Sequence, residues 1–131
     1  MSSALVRPVE PVAPAIARAL PAWVYNHPEM TRLEYERILR PSWQIVCHQS
    51  QLRRAGDFVT FEMGSDSVVA VRDAQGTIRA FHNVCRHRGA RLLDGQGHCP
   101  GAITCPYHGW SYRHSGELFG ISARDTFPPI S

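Results

Sequence analysis

Two short segments constrain the fold of this chain more than any other feature: "CRHRG" at residues 85–89 and "CPYHG" at residues 105–109. Each places a cysteine and a histidine within one turn and ends in glycine. Thiolate and imidazole are side chains that bind soft or borderline metals well. Because the close spacing lets one turn deliver two ligands, a fold that brings both turns together would build a four-ligand metal site.

Short runs of alternating apolar and polar residues surround these segments. The pattern predicts strands at residues 43–48, 57–63, 66–72, 77–83, 101–104, 110–113 and 117–120. Turn-forming residues lie between several of them, at 64–65, 73–76 and 114–116. Many short strands with frequent turns predict a mostly β fold, either a sandwich or a barrel. Both Cys–His segments then lie in loops at strand ends, where a rigid frame can hold a site near the surface.

The N-terminal part of the chain differs in composition from the rest. Residues 1–21 are rich in Ala, Pro and Val and are predicted to form a flexible extension. The run "TRLEYERILRPSW" predicts one helix, with Thr31 as its N-cap, Glu34 completing a capping box and Pro41 ending it. The predicted organisation is therefore an extension (1–21), a lead-in helix (22–42) and a β domain (43–131).

Charge and hydropathy exclude two classes of function. The formal net charge is +3 without a long run of like charges, which argues against a nucleic-acid-binding protein. No stretch reaches the roughly 18–20 apolar residues that cross a bilayer, and the prolines near the N-terminus interrupt any signal-peptide pattern. These features predict a cytoplasmic protein with no membrane partner. In that compartment clustered cysteines indicate a bound metal more often than a disulfide.

The spacing of the four ligand candidates distinguishes two kinds of metal site. A structural zinc site usually pairs cysteine with cysteine and histidine with histidine along the chain. The single residue between Cys85 and His87 makes it awkward for both to reach one tetrahedral ion. It suits a two-iron cluster in which Cys85 and Cys105 bind one iron while His87 and His108 bind the other, which is the Rieske arrangement. The sequence favours this arrangement over zinc.

The residues around the ligand candidates resemble a known family. "FHNVCRHRGARLL" and "CPYHGWSY" resemble the Rieske signature of ring-hydroxylating, non-heme-iron oxygenase α subunits, and "EYERILRPSWQIVCHQSQL" resembles the lead-in to their Rieske domain. The resemblance spans about Pro21 to Gly120. It implies a Rieske-type β sandwich with one N-terminal helix, and a 2Fe-2S cluster bound by Cys85, His87, Cys105 and His108.

The resemblance also implies roles for four neighbouring residues. Gly89 and Gly109 match glycines that let backbone N–H groups approach the cluster sulfides, where a β-carbon would crowd the contact. Tyr107 and Trp110 match aromatic positions beside the second loop, where the expectation is mainly core packing.

Three positions indicate the subtype of Rieske centre, because Rieske proteins of another subtype have two cysteines and a serine there. Rieske proteins of respiratory complexes resemble "CTHLGC" and "CPCHGS", whose extra cysteines form a disulfide. Here Ala90 and Tyr107 occupy those cysteine positions, and Trp110 replaces the serine that would donate a hydrogen bond to a sulfide. Fewer hydrogen bonds stabilise the reduced cluster less, so the predicted potential lies toward the low end of the range of roughly −150 to +300 mV.

The function implied is one-electron transfer, as the electron-accepting domain of a ring-hydroxylating-type oxygenase. The implied partners are a reductase or ferredoxin as donor and an oxygenase catalytic domain as acceptor. In the α subunits that the chain resembles, a mononuclear Fe(II) sits in a later catalytic domain, bound by two histidines and a carboxylate. No such motif follows the cluster segments in these 131 residues, so mononuclear iron is expected only in a longer homologue.

Two alternatives stay open at the level of sequence. One is a free-standing Rieske ferredoxin, although the N-terminal helix and "PSWQIVCH" favour the α-subunit domain. The other is a zinc-stapled binding module without a redox role.

The remaining cysteines and histidines have no partner motif. Cys47 is expected to be a buried hydrophobe in a strand and Cys99 a bystander thiol in a loop. The other histidines are expected to be structural or surface residues: His27, His48, His82, His98 and His114.

Overall fold

The computed structural model describes residues 19–128 of the chain. The chain divides into two compact units, Met1–Ser42 and Trp43–Ser131. Most of the predicted N-terminal extension, residues 1–18, lies outside the described residues.

The first unit is helical in its described part. A 3₁₀ turn spans Ala22–Tyr25, helix α1 spans Pro28–Glu34, and a wider π-type turn continues it over Tyr35–Leu39. No residue between 19 and 42 is buried.

Helix α1 begins earlier than the sequence predicted. Its N-cap is His27, whose ring Nδ1 accepts a hydrogen bond from the Glu29 N–H at 3.3 Å, and Pro28 occupies the first helical position. Proline is well suited there because its fixed φ is helical and its missing N–H would have no partner anyway. The prediction that Thr31 caps the helix is therefore wrong, and Thr31 lies inside it.

The second unit is built from two antiparallel sheets. The first contains four strands in the order β3-β2-β1-β4 and the second contains three in the order β5-β6-β7. The strands are β1 (Asp57–Met63), β2 (Asp66–Arg72), β3 (Ile78–His82), β4 (Gln96–His98), β5 (Ile103–Thr104), β6 (Ser111–Tyr112) and β7 (Leu118–Gly120). The predicted fold class, mostly β with one N-terminal helix, is confirmed.

The predicted strand at 43–48 is wrong, because no strand is formed there. Trp43 is 102% exposed and Ile45 92%, whereas Val46 and Cys47 pack against a small cluster that includes Leu52. The alternating pattern therefore arises because one side of the segment packs on this cluster while the other side is exposed. The segment pairs with no strand of either sheet. Cys47 is half-buried rather than buried in a strand.

Strand β4 was missed by the sequence analysis. Its sequence, Gln96-Gly97-His98, contains no β-branched or aromatic residue that would indicate a strand. It pairs with the first residues of β1, and a Cβ at Gly97 would meet the Phe58 ring at 3.1 Å. Glycine therefore lets β4 approach that ring closely.

The turn predicted at 73–76 is confirmed as the β2–β3 hairpin. Asp73 is buried, and its carboxylate accepts hydrogen bonds from the Thr77 N–H at 2.8 Å and the Gln75 N–H at 3.0 Å. Arg79 Nε donates to the same carboxylate at 2.6 Å and lowers the pKa of Asp73. A buried carboxylate with this many donors fixes the turn and the register of the two strands.

The main core lies between the two sheets and carries both cysteines of the candidate site. Its members are Phe58, Val69, Val71, Cys85, Leu92, Cys99, Ile103, Cys105, Trp110 and Tyr112. Within residues 19–128, no helix is long and apolar enough to cross a membrane.

Candidate metal centre

The two Cys–His segments form loops with the same backbone hydrogen bonds. The first follows β3 and the second joins β5 to β6, as the sequence predicted. In each loop the cysteine N–H donates to the carbonyl five residues later, at 2.7 Å for Cys85 and 2.8 Å for Cys105. The glycine N–H donates back to the cysteine carbonyl, at 2.9 Å for Gly89 and 3.0 Å for Gly109. The two loops therefore have the same local backbone structure.

The glycines of both loops have a left-handed backbone. Their φ angles are 67° at Gly89 and 70° at Gly109, a region that glycine adopts without strain. A Cβ at Gly109 would meet Ser122 Oγ at 2.7 Å, whereas a Cβ at Gly89 would meet no protein atom within 4 Å. Backbone conformation is therefore the requirement that the two positions share.

The two cysteines form the buried half of the site. Cys85 is 2% exposed and Cys105 3%. The hydroxyl oxygen of Tyr112 lies 3.3 Å from Cys85 Sγ and accepts the Arg86 backbone N–H at 3.0 Å. Either atom of this pair can donate, but once Cys85 is a thiolate only the hydroxyl has a hydrogen to give, so Tyr112 is then the donor.

The surroundings of Cys85 favour the thiolate. Burial raises the pKa of the thiol, but hydrogen bonds from the Tyr112 hydroxyl and the His87 backbone N–H outweigh burial, so the pKa is lowered overall. Burial and the bond to Cys85 raise the pKa of Tyr112 to about 12. Tyr112 therefore keeps its proton at neutral pH and remains a hydrogen-bond donor, while the sulfur is prepared for metal binding.

The two histidines form the half-buried side of the site. Their ring centroids are 4.7 Å apart. His87 stacks on Trp110, with centroids 4.9 Å apart and planes 5° apart, and meets the edge of Phe127 at 5.6 Å. His108 lies against Tyr107 at 3.7 Å. Burial, followed by the charges of His108 and Arg88, lowers the pKa of His87 and favours the neutral imidazole that metals bind.

The structure thus places the two imidazoles next to each other and both cysteines in one buried core cluster. Donors paired by type in this way fit an iron-sulfur cluster in which each iron takes one pair. Among the described residues, no three His, Cys, Asp or Glu side chains surround a point suited to a single ion.

Two residues of the site were missed by the sequence analysis. Tyr112 reaches Cys85 from 27 positions further along the chain, and Phe127 reaches His87 from beyond β7. Tyr112 is the last residue of "CPYHGWSY", but its spacing from Cys85 does not indicate the contact, and Phe127 lies outside both signature segments. Trp110 was expected mainly to pack in the core; it is buried and also stacks on a ligand candidate.

The other cysteines and histidines lie outside the four-residue site. Cys99 and His114 are both buried, with Sγ and Nε2 3.6 Å apart, and burial raises the pKa of Cys99. His98 Nδ1 lies 2.9 Å from Asp57 Oδ1. His48 caps a 3₁₀ turn at Gln49–Gln51.

Comparison with known proteins identifies a domain of the same kind. The sequence profile of the Rieske [2Fe-2S] domain matches residues 42–130. The chain is 42% identical over 105 residues to the carnitine monooxygenase oxygenase subunit of Escherichia coli K12, a match covering 80% of this chain and 28% of that protein. It is 42% identical over 108 residues to the biphenyl 2,3-dioxygenase α subunit of Rhodococcus jostii RHA1, covering 82% and 24%.

Solved structures agree with this result. The apo form of a quaternary ammonium Rieske monooxygenase superposes with a TM-score of 0.80 at 34% identity, over 86% of this chain and 33% of that one. The naphthalene 1,2-dioxygenase of Rhodococcus sp. superposes with a TM-score of 0.75 at 36% identity, over 81% and 24%. The chain therefore spans about a quarter to a third of the length of the proteins it matches.

Proposed function

Since the chain belongs to the Rieske [2Fe-2S] domain family, we propose that Cys85, His87, Cys105 and His108 hold its cluster, with the two cysteines on one iron and the two histidines on the other. The support is the pairing of buried thiols and adjacent imidazoles on two loops of the same structure. When bound, the cluster supplies reversible one-electron redox chemistry.

The surrounding residues position the ligands and control their electrostatics. Tyr112 donates a hydrogen bond to Cys85 and so stabilises negative charge on that sulfur. Trp110 and Phe127 hold the plane of the His87 ring from two sides. His108 has the exposed ring of Tyr107 beside it instead, so the two histidines meet different surroundings.

We infer that the domain accepts one electron on behalf of an oxygenase. The oxygenase subunits it matches are three to four times longer, and we place mononuclear Fe(II) in the part of such proteins beyond the matched segment. Residues 43–131 would then form the Rieske domain and 22–42 its lead-in. The donor would be a reductase or ferredoxin and the acceptor an oxygenase catalytic domain. A solved quaternary ammonium Rieske monooxygenase gives insights into inter-subunit electron transfer, which supports an acceptor on a neighbouring subunit.

The proposed compartment is the cytoplasm. Its support is that all four cysteines carry free thiols, including the two proposed cluster ligands, and a reducing compartment keeps such thiols available for metal.

The ligand assignment is tested by cluster content. The full chain, purified anaerobically, should contain two irons and two acid-labile sulfides per chain and take up one electron on reduction. Cys85→Ser should lose most of the iron and sulfide because the remaining hydroxyl is a poor iron ligand. Cys47→Ser is the matched control, since Cys47 is half-buried away from the ligand loops, and it should retain both.

Two results would contradict the proposal. One is a Cys85→Ser chain with full iron and sulfide content. The other is a wild-type chain that contains zinc and no sulfide, which would support the zinc-stapled module instead.

A further inference from the structure

A cavity of about 290 Å³ lies between the two sheets, apart from the four ligand side chains. Its walls come from β2 and β3 on one side and from β5 and β6 on the other. They are mostly apolar: Val69, Phe81, Val84, Leu92, Ile103 and Tyr112. An apolar cavity of about 150 Å³ is enough to hold benzene in another protein. The cavity here therefore has room for a hydrocarbon group of six or so carbons together with a polar head.

The polar side chains around the cavity are cationic or neutral. They belong to His82, Arg86 and Arg113, and no carboxylate from residues 19–128 lines the cavity. The positive charge of Arg113 already has partners. Its Nε lies 3.3 Å from Glu117 Oε2, and its guanidinium lies 4.7 Å from the centroid of the Phe119 ring.

The charge of Arg86 is not balanced by any carboxylate among the described residues. Across residues 19–128 its guanidinium has no ion pair and no hydrogen bond, and only its backbone N–H is engaged, by Tyr112. A guanidinium presents paired N–H donors whose geometry matches a carboxylate. The cavity thus has an apolar interior and is bordered by one arginine whose guanidinium has no partner among the described residues.

We propose that this cavity binds a small apolar monocarboxylate, with its hydrocarbon part between the sheets and its carboxylate on Arg86. The apolar walls account for the hydrocarbon and the uncompensated guanidinium for the charge. The site is distinct from the cluster ligands, and its argument does not depend on the proposed electron transfer.

The cavity is nevertheless connected to the metal centre through one residue. Tyr112 lines the cavity, and its hydroxyl lies 3.3 Å from Cys85 Sγ. The hydrocarbon part of a bound ligand would therefore touch the ring whose hydroxyl bonds the buried cysteine. This places a small-molecule site directly behind the candidate electron-transfer centre.

Hexanoate is the probe for the experiment, with 1-hexanol and acetate as partial ligands. Isothermal titration calorimetry on the cluster-loaded full chain should show saturable one-to-one binding of hexanoate. 1-Hexanol lacks the charge and acetate lacks the hydrocarbon, so each should bind at least roughly tenfold more weakly. No saturable binding of hexanoate, or equal binding of 1-hexanol, would overturn the proposal.

Two arginine variants locate the carboxylate. Arg86→Gln should weaken hexanoate binding roughly tenfold or more, because it removes a hydrogen bond to a charged group. Arg88→Gln is the matched control: it removes a second exposed guanidinium from the same loop, but Arg88 does not line the cavity. It should leave the affinity unchanged. Equal weakening by both variants would mean general charge attraction and would refute the site.

A third variant locates the hydrocarbon. Val84 is half-exposed and lines the cavity, so Val84→Phe adds a ring there without overpacking a buried position. Hexanoate binding should fall while iron and sulfide content stays unchanged, and unchanged affinity would place the ligand elsewhere. Because calorimetry reports binding whatever the redox behaviour of the chain, failure of this proposal and failure of the proposed function are distinguishable.

Discussion

At the level of single residues, the sequence indicates the four ligand candidates by their spacing, but it does not indicate the contact between Tyr112 and Cys85. Cys85 and His87 lie within a few positions of each other, as do Cys105 and His108. Their spacing alone therefore indicates a shared metal site. Tyr112 acts on Cys85 only because β6 and the first loop meet in the fold. Such a contact follows from tertiary structure and leaves no mark in the local sequence.

Tyr112 should set part of the reduction potential. Its hydroxyl bonds Cys85 Sγ, and a reduced cluster carries more negative charge on its sulfurs, so the bond favours the reduced form. Tyr112→Phe should therefore lower the potential, by roughly 60 mV if the bond is worth a factor of ten for one electron. A redox titration followed by visible absorption measures the shift.

A second tyrosine supplies the control for this measurement. Tyr107 lies on the His108 ring but is 60% exposed, and Tyr107→Phe removes a hydroxyl at the surface of the site rather than at a sulfur. Its potential should stay close to that of the wild type. Equal shifts in the two variants, or a higher potential in Tyr112→Phe, would contradict the assigned hydrogen bond.

At the level of elements, long strands were predictable and short ones were not. β1 and β2 have the bounds that their sequences predicted, because seven residues give a clear period of two. β5 and β6 have two residues each and were predicted only as parts of longer runs. β4 was missed and residues 43–48 were wrongly assigned, since pairing depends on a partner strand that sequence alternation does not reveal.

Asp57 links the start of β1 to its neighbours and should make stability depend on pH. Its carboxylate accepts the Arg54 backbone N–H at 3.0 Å and contacts His98 Nδ1 of β4 at 2.9 Å. The hydrogen bond from Arg54, followed by that from His98, lowers the pKa of Asp57 from 3.8 to about 2. The fold thus favours the charged carboxylate, whose contribution is complete above the unfolded pKa and is lost as the pH falls through about 2.

Asp57→Asn should accordingly lower the apparent melting temperature at neutral pH, and the difference from wild type should narrow as the pH falls below about 4. Comparing the two chains at each pH removes the effect of cluster loss in acid, which they share. Asp125→Asn, at an exposed position outside the sheets, should show little difference at any pH. A difference for Asp57→Asn that grows in acid would contradict the sign of the shift.

At the level of the whole molecule, the sequence correctly predicted a β domain preceded by a helical segment. The change from a helical to an alternating pattern predicted the boundary at residues 42–43; the chain divides into its two units after Ser42. The match to the Rieske domain begins at the same place, at residue 42. The four ligand candidates fall within the predicted β domain, and the structure adds that the residues packed on them, Trp110, Tyr112 and Phe127, come from the same unit.

Residues 43–131 alone should therefore bind the cluster. All four ligand candidates, the aromatic rings that pack on the histidines and the hydroxyl that bonds Cys85 come from this unit. Every buried residue among those described also lies within it, so removing residues 1–42 takes away no described part of the core. The shortened chain should contain two irons and two sulfides, as expected of the full chain, with the same visible absorption. If it bound no cluster while the full chain did, residues 1–42 would have to contribute to the centre, and the domain would begin earlier than its core.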